Sequence, residues 1–94
     1  MAMDAIEELY QRILTRKSAS PDISYTARLF TLGEDEIVKK VGEEAIEVIL
    51  AAKSQGNLRL VEEVADLTYH VLVLLALRGV SPTDVAAELA RRQK

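Results

Sequence analysis

The stretch KVGEEAIEVILAAKSQGNLRLVEEVAD, residues 40–66, holds two apolar helical patterns joined at a glycine, and acids interrupt each pattern. Gly56 can supply the left-handed residue that ends one helix, and Asn57 is placed to cap the next, so the segment predicts an antiparallel helical hairpin. Its first arm accepts Gly42 beside Glu43, Glu44 and Glu47. Glycine inside a helix costs roughly 1 kcal/mol relative to alanine, and clustered like charges repel. An arm that gives up stability twice is expected to serve something other than its own folding.

The pattern extends outward from this hairpin. Its first arm is predicted to span about residues 34–55, with acids crowding the first turn where they suit the helix dipole. The second arm spans residues 58–78 and stops at Gly79. Before the hairpin, Ile6, Leu9, Tyr10, Ile13 and Leu14 recur at helical spacing and predict a helix over residues 4–17, broken by SASPD. SYTARLFTLG, residues 24–33, reads as a short helix or turn with Ser24 as cap and Gly33 as stop. Ser81, Pro82 and Asp84 mark the start of a last helix over residues 82–92. No strand pattern competes. The expected fold is all-α: a helical hairpin with flanking helices, in one domain covering residues 1–94.

Composition supports that class. Hydrophobic residues make up 49% of the chain but only four residues are aromatic, a palette of packed helices rather than of disorder. A chain of 94 residues buries only about 60–65% of its unfolded surface, so oligomerisation is a natural supplement. Without cysteine there is neither a disulfide framework nor a thiolate zinc site. The start, MAMDAIEELYQRIL, is charged and amphipathic and lacks a leader pattern. The longest apolar run, Val71 to Leu77, is too short to span a bilayer. These features lead us to expect a soluble cytoplasmic protein with no membrane partner.

The net charge of −3 is unevenly spread: residues 34–66 hold nine acids and four bases. Acid concentrated at the centre argues against nucleic acid, which needs a basic stripe.

At 100° per residue, Ile37, Val41, Val48 and Ala52 share a narrow apolar arc, widened on one side by Val38, Ala45 and Ile49. Glu44 falls at the border of that arc, with Glu47 and Lys40 on its flank. On the second arm, Glu62, Glu63, Asp66 and His70 form one stripe that runs on into Val73, Leu74 and Leu77. Folding the hairpin about Gly56 and Asn57 sets Glu47 level with Asp66, Glu63 one turn nearer the turn, and Glu44 a turn farther from it. The four acids Glu44, Glu47, Glu63 and Asp66 then span under about 10 Å along the axis. Four carboxylates aimed into one cleft cannot all stay ionised without a counter-charge. A hard divalent cation removes the conflict, and oxygen-only ligation selects Mg²⁺ or Mn²⁺ over Zn²⁺.

A single pair of glutamates on a helix is ordinarily a solvated face; two acidic pairs level across one hairpin and bordering apolar stripes favour a metal site. His70 alone reads first as a hydrogen-bonded, half-buried histidine. Lys40 is either an ion-pair partner or a phosphate-facing cation. The other cations considered are Lys53, which lies off the acidic face of its own helix, and Arg91 and Arg92.

The constellation Glu43-Glu44, Glu47, then Glu63 and Asp66 resembles the metal-binding signature of the MazG-like all-α nucleotide pyrophosphohydrolases. SYTARLF, KKVGEEAIEVILAAK, VEEVADLTYHVLVLLALRG and SPTDVAAEL narrow the resemblance to the phosphoribosyl-ATP pyrophosphatase family, over nearly the whole chain. That resemblance implies Mg²⁺-dependent hydrolysis of phosphoribosyl-ATP to phosphoribosyl-AMP and pyrophosphate, the second step of L-histidine biosynthesis. It implies a helical-bundle homodimer with active sites near the subunit interface. Glu44, Glu47, Glu63 and Asp66 match the metal ligands, while Glu43 and Glu62 match neighbouring acids of less defined role. Glu44 or Glu47, with Glu43 behind them, is the candidate for activating water. Ser24, Tyr25, Thr26 and Arg28 are the substrate-binding candidates, joined by Lys40 and His70; the alternative for the first group is a capped turn with core packing. The chain resembles the stand-alone enzyme, so a separate cyclohydrolase is expected to catalyse the next step. Two other readings stand beside this one: a MazG-like enzyme acting on (d)NTPs, and a non-enzymatic helical dimer module. A ferritin-like di-iron site would need a repeated Glu-x-x-His, and this chain has one histidine.

Overall fold

A computed structural model describes residues 4–93; Lys94 and the first three residues, part of the stretch read as lacking a leader, lie outside them. Five helices follow one another: α1 Ala5–Thr15, α2 Tyr25–Leu32, α3 Glu34–Ser54, α4 Gly56–Arg78 and α5 Pro82–Arg92. Among the described residues there is no strand, in keeping with the all-α, MazG-like expectation. Among the described residues no helix is long and apolar enough to cross a membrane.

The expected helix ends are largely reproduced, with two local corrections. Asp4 does not begin α1 but caps it, accepting the Glu7 N–H at 2.9 Å, and the helix tightens into a 3₁₀ turn over Arg16–Ser18 instead of continuing to Lys17. Such tightening satisfies terminal carbonyls that have no i+4 donor. At the hairpin, Gly56 has φ +85°, so the left-handed residue stands where expected. Asn57, however, is no cap: α4 already starts at Gly56 and has no side-chain cap bond. A one-residue joint at Gln55 leaves no room for a capping residue outside both helices.

Ser24 caps α2, its hydroxyl accepting the Ala27 N–H at 3.1 Å. Ser81 and Asp84 form a reciprocal capping box at the start of α5, with Pro82 in its first turn. Gly79, at φ +70°, ends α4.

Helices α3 and α4 form the spine, antiparallel and in contact along their length. Arg78 at the far end of α4 pairs with Glu34 at the start of α3, 3.2 Å apart, across the open end of the hairpin. The core lies toward that end: Tyr10, Ile13, Leu29, Ile37, Leu72, Val73 and Ala76 pack together from α1, α2, α3 and α4. Each fully buried Ile, Leu or Val contributes about 1.5–3 kcal/mol through burial. Tyr10 donates its hydroxyl to the Val80 carbonyl at 2.7 Å, fixing α1 to the α4–α5 connection.

The buried line of α3 differs from the expected arc. Ile37 and Ala51 are fully buried, and Glu44 stands between them at seven-residue intervals, whereas Ala52 is exposed and Val38 and Ile49 face outward. Seven residues turn the helix almost two full turns, so Ile37, Glu44 and Ala51 make one seam. The apolar count across α3 pulled the predicted arc toward residues that this chain does not bury. Glu44 is therefore in the middle of the packed seam, not at its border.

Candidate active site

From α4, Glu63 and His70 face the same seam, again seven residues apart, and both are buried, with Glu63 only 5% exposed. Asp66, one turn beyond Glu63, lies at the accessible edge. Ligand atoms of Glu44, Glu63 and Asp66 all lie within 4.8 Å of one another, a triad of carboxylates drawn from both arms of the hairpin. Burial pushes the Glu63 carboxyl above the usual carboxylate range; the charges of Asp66 and Glu47 push the same way, and the Arg59 guanidinium opposes them.

Glu47 is half-buried and acts on Glu63 through its charge, yet it stands outside the close triad. Counting from a turn at Gly56 and Asn57 sets it level with Asp66; with the joint at Gln55, Glu44 is the residue level with Asp66 and Glu47 is level with Glu63. At 100° per residue, Glu47 is turned about 60° from Glu44, off the line that meets α4.

The outer acids have different surroundings. Glu43 is exposed and pairs with Lys40 at 3.5 Å, so Lys40 finds its partner at i+3 and not in Glu44 at i+4. The Lys40 ammonium is pushed above its ordinary value, first by Tyr25 and then by Glu43. Glu62 is exposed and pairs with Arg59 at 2.8 Å.

Arg59 is a residue that the sequence reading passed over. Its guanidinium also bonds the buried Glu63 carboxylate, four residues on. The i, i+4 spacing was the available signal, masked by the more prominent lysines.

The substrate-binding candidates sort into two groups. Ser24 is committed to capping α2. Arg28 donates to the Pro21 carbonyl at 3.3 Å, and its guanidinium carbon stands 5.6 Å from the Tyr25 ring centre. Tyr25 and Thr26, by contrast, reach α4. The Tyr25 hydroxyl lies 3.0 Å from His70 Nε2, and His70 Nδ1 lies 2.8 Å from the Asp66 carbonyl oxygen. A carbonyl only accepts, so Nδ1 carries the proton; in the neutral ring Nε2 then accepts and Tyr25 donates. Both nitrogens of His70 are thus engaged inside the fold. Thr26 bonds the hydroxyl of Tyr69, a second residue absent from the sequence-based candidates. Lys53, Arg91 and Arg92 stay apart from the triad: Lys53 is exposed near the end of α3, and the two arginines pair with Glu88 on α5.

Chemically, the triad offers only oxygen ligands, partly buried and mutually repulsive. This donor set fits Mg²⁺ or Mn²⁺ and supplies nothing that favours zinc.

Comparison with known proteins points the same way. A family model described as phosphoribosyl-ATP pyrophosphohydrolase matches residues 6–93. The chain is 61% identical to the phosphoribosyl-ATP pyrophosphatase of Pelotomaculum thermopropionicum, over 97% of this chain and 94% of that protein. It is 56% identical to that of Trichlorobacter lovleyi, over 93% and 81% respectively. It is 46% identical to that of Saccharolobus solfataricus over the full length of both. A hairpin carrying carboxylates on both arms, within a chain matched almost end to end, leaves one conclusion: this chain belongs to the phosphoribosyl-ATP pyrophosphohydrolase family.

Proposed function

We propose that the chain hydrolyses phosphoribosyl-ATP to phosphoribosyl-AMP and pyrophosphate, the second step of L-histidine biosynthesis, with Mg²⁺ as its metal. The observation that carries this reading is the meeting of Glu44, Glu63 and Asp66 within 4.8 Å across the hairpin. Family membership and the names of the relatives support the substrate. Glu44, Glu63 and Asp66 would hold the metal, with Glu47 completing or serving the set from beside it. When bound, the metal neutralises the acids, grips phosphate oxygens and polarises phosphorus toward attack.

The protein's own groups supply the rest. A water must attack phosphorus and lose a proton while the bond between the α and β phosphates breaks and pyrophosphate departs. Glu47, ionisable and outside the close triad, is the acid best placed to orient that water and take its proton, ahead of Glu44 and Glu43. Lys40 and Arg59 are the nearest cations to offset the charge of the polyphosphate.

The reading also includes a homodimer in the cytoplasm, with the following cyclohydrolase step on another protein. The dimer rests on surface chemistry. Ile46, Ile49 and Leu50 on α3 and Leu58, Val61 and Val64 on α4 are exposed in a single chain. A groove of about 760 Å³ between α1, α4 and α5 is lined by residues such as Leu67, Val71, Leu75 and Leu89 and by none of the three close carboxylates. Apolar surface of this extent is what an interface between copies would cover.

The deciding experiment is pyrophosphate release from phosphoribosyl-ATP and from a panel of (d)NTPs in the presence of Mg²⁺. Strong preference for phosphoribosyl-ATP is expected; preference for any (d)NTP would replace this reading with a MazG-like one.

A further inference from the structure

Beside the acidic seam, α2 is fastened to α4 by an aromatic cluster whose chemistry the acids do not need. Tyr25 and Tyr69 stack with ring centres 6.2 Å apart, and the His70 ring stands edge-on to both, 6.0 and 4.9 Å away. Two polar links cross the same contact: Tyr25 to His70, and Thr26 to Tyr69. The helix joined in this way is only two turns long, Tyr25–Leu32, too short to hold its position through intrinsic helicity. What it presents is Tyr25, a residue that remains 41% exposed while the charges of Lys40 and Glu44 act on its hydroxyl. The clamp meets α4 in the turn that follows Asp66, and His70 returns a bond to the Asp66 carbonyl itself. While α2 as a whole packs on α3 and the 3₁₀ turn, its first-turn side chains Tyr25 and Thr26 are thus tied to the helix that carries two of the three close carboxylates.

We propose that Tyr69 is a positioning residue for the hydrolytic reaction, acting through Thr26 and the Tyr25 ring to hold the first turn of α2 at the mouth of the carboxylate site. The inference rests on the pyrophosphohydrolase reading and deepens it: Tyr25 touches the substrate, whereas Tyr69 never does. Deleting the Tyr69 hydroxyl leaves the ring, its stacking and the acids in place, so the metal is held as before while substrate binding suffers.

The test compares Y69F, T26V, T26S and the double variant Y69F/T26V, with KM and kcat for phosphoribosyl-ATP, Mg²⁺ affinity, and amide hydrogen exchange of Ala27 and Arg28. Y69F and T26V are each expected to raise KM about five- to tenfold, the scale of one lost hydrogen bond, with kcat changed far less. T26S keeps the hydroxyl and recovers most of the KM that T26V loses. The double variant is no worse than the worse single one, because both remove the same link. Mg²⁺ affinity holds throughout, and exchange at Ala27 and Arg28 quickens in Y69F. Wild-type KM in both single variants, or losses that multiply in the double variant, would overturn the proposal. Should the wild-type chain fail to cleave phosphoribosyl-ATP, the catalytic reading falls by itself. The exchange rates then still decide the clamp, unchanged rates in Y69F counting against it.

Discussion

The two faces of the α3–α4 hairpin invert the usual distribution of polarity. On the inner face, Glu44 stands between fully buried Ile37 and Ala51, and opposite it Glu63 and His70 are buried as well. On the outer face, Ile46, Ile49, Leu50, Leu58, Val61 and Val64 are open to solvent. A hairpin designed only to fold would exchange the two sets. Each face therefore calls for a different complement: the inner one a counter-charge for acids that Arg59 offsets only in part, the outer one an apolar surface. The difference teaches that the proposed metal binding and the proposed assembly draw on opposite sides of the same two helices, so each can be tested separately.

The inner face should break hardest. Asp66→Asn and Glu44→Gln keep the shape of the seam but remove a negative oxygen. Each is expected to lower kcat/KM by roughly 10³-fold, the scale of losing one preorganised electrostatic contact in a closed site. Mg²⁺ affinity, followed by calorimetry, should fall with it, while the dimer seen by sedimentation remains. Near-normal rate and affinity in either variant would remove that residue from the metal site.

How much of this contrast the sequence carries depends on the residue. Ser24, Gly33, Gly79 and the Ser81 capping box have local causes, backbone geometry and side-chain acceptors within a few positions, and the structure places them as expected. The meeting of carboxylates from the two arms was also legible, because counting outward from a short turn sets height along the axis to within about a turn. Rotation about the axis was not. Val38, Ile49 and Ala52 count as apolar in any periodicity, and nothing in their type says that α3 faces them outward. Hence Glu44 was set at a border it does not occupy, and Glu47 was given a rank equal to the triad. Arg59 and Tyr69 differ from each other: Arg59 pairs with Glu63 within α4 at i, i+4, a spacing legible in the sequence, whereas Tyr69 finds Thr26 on another helix, a partner decided by packing. His70 shows the middle case, its role as a buried hydrogen-bonded residue legible and its partners Tyr25 and Asp66 not.

The outer face is the second point of attack. Val61→Glu, or Ile49→Glu, places a charge in a surface that must be desolvated for two copies to meet. Dimer affinity is expected to weaken by about 100-fold or more, because a buried unpaired charge costs several kcal/mol. Sedimentation equilibrium checks this. Mg²⁺ binding to the separated chains should persist, since Glu44, Glu63 and Asp66 all come from one copy. Loss of metal binding on dissociation would show that the two faces are coupled, not independent.

A subtler intervention on the inner face concerns pH. The folded-state pKa of Glu63 is raised, chiefly by burial. In the metal-free protein the folded chain therefore binds this proton more tightly than the unfolded chain does. Stability then falls as pH rises through the unfolded value toward the folded one, and above that window the penalty is present in full. Glu63→Gln removes it. Metal-free Glu63→Gln protein should melt at or above the wild-type temperature at neutral pH and lose the stabilisation that Mg²⁺ confers on wild type. Thermal melts with and without Mg²⁺ check both halves; a variant that melts lower without metal would mean that the bond to Arg59 outweighs the repulsion among the acids.

The smallest expected effect concerns Gly42, on the outer face of α3. It is exposed, has ordinary helical backbone, and a methyl built there meets nothing within 4 Å in the single chain. Within one chain, then, nothing requires glycine, and Gly42→Ala should raise the stability of dilute monomer by about 1 kcal/mol through helix propensity. Gly42 is also in line with Val38, Ile46 and Ile49 on the outward side of α3, the ridge that a second copy would cover. Close approach of two helices at a glycine is lost when a methyl stands between them. Gly42→Ala is accordingly expected to gain stability at low protein concentration and to lose part of that gain as concentration rises into the dimer range. Denaturant unfolding at several concentrations measures both. A gain that persists at every concentration would leave the α3 ridge outside the contact and move the interface to the α4 stripe through Leu58, Val61 and Val64.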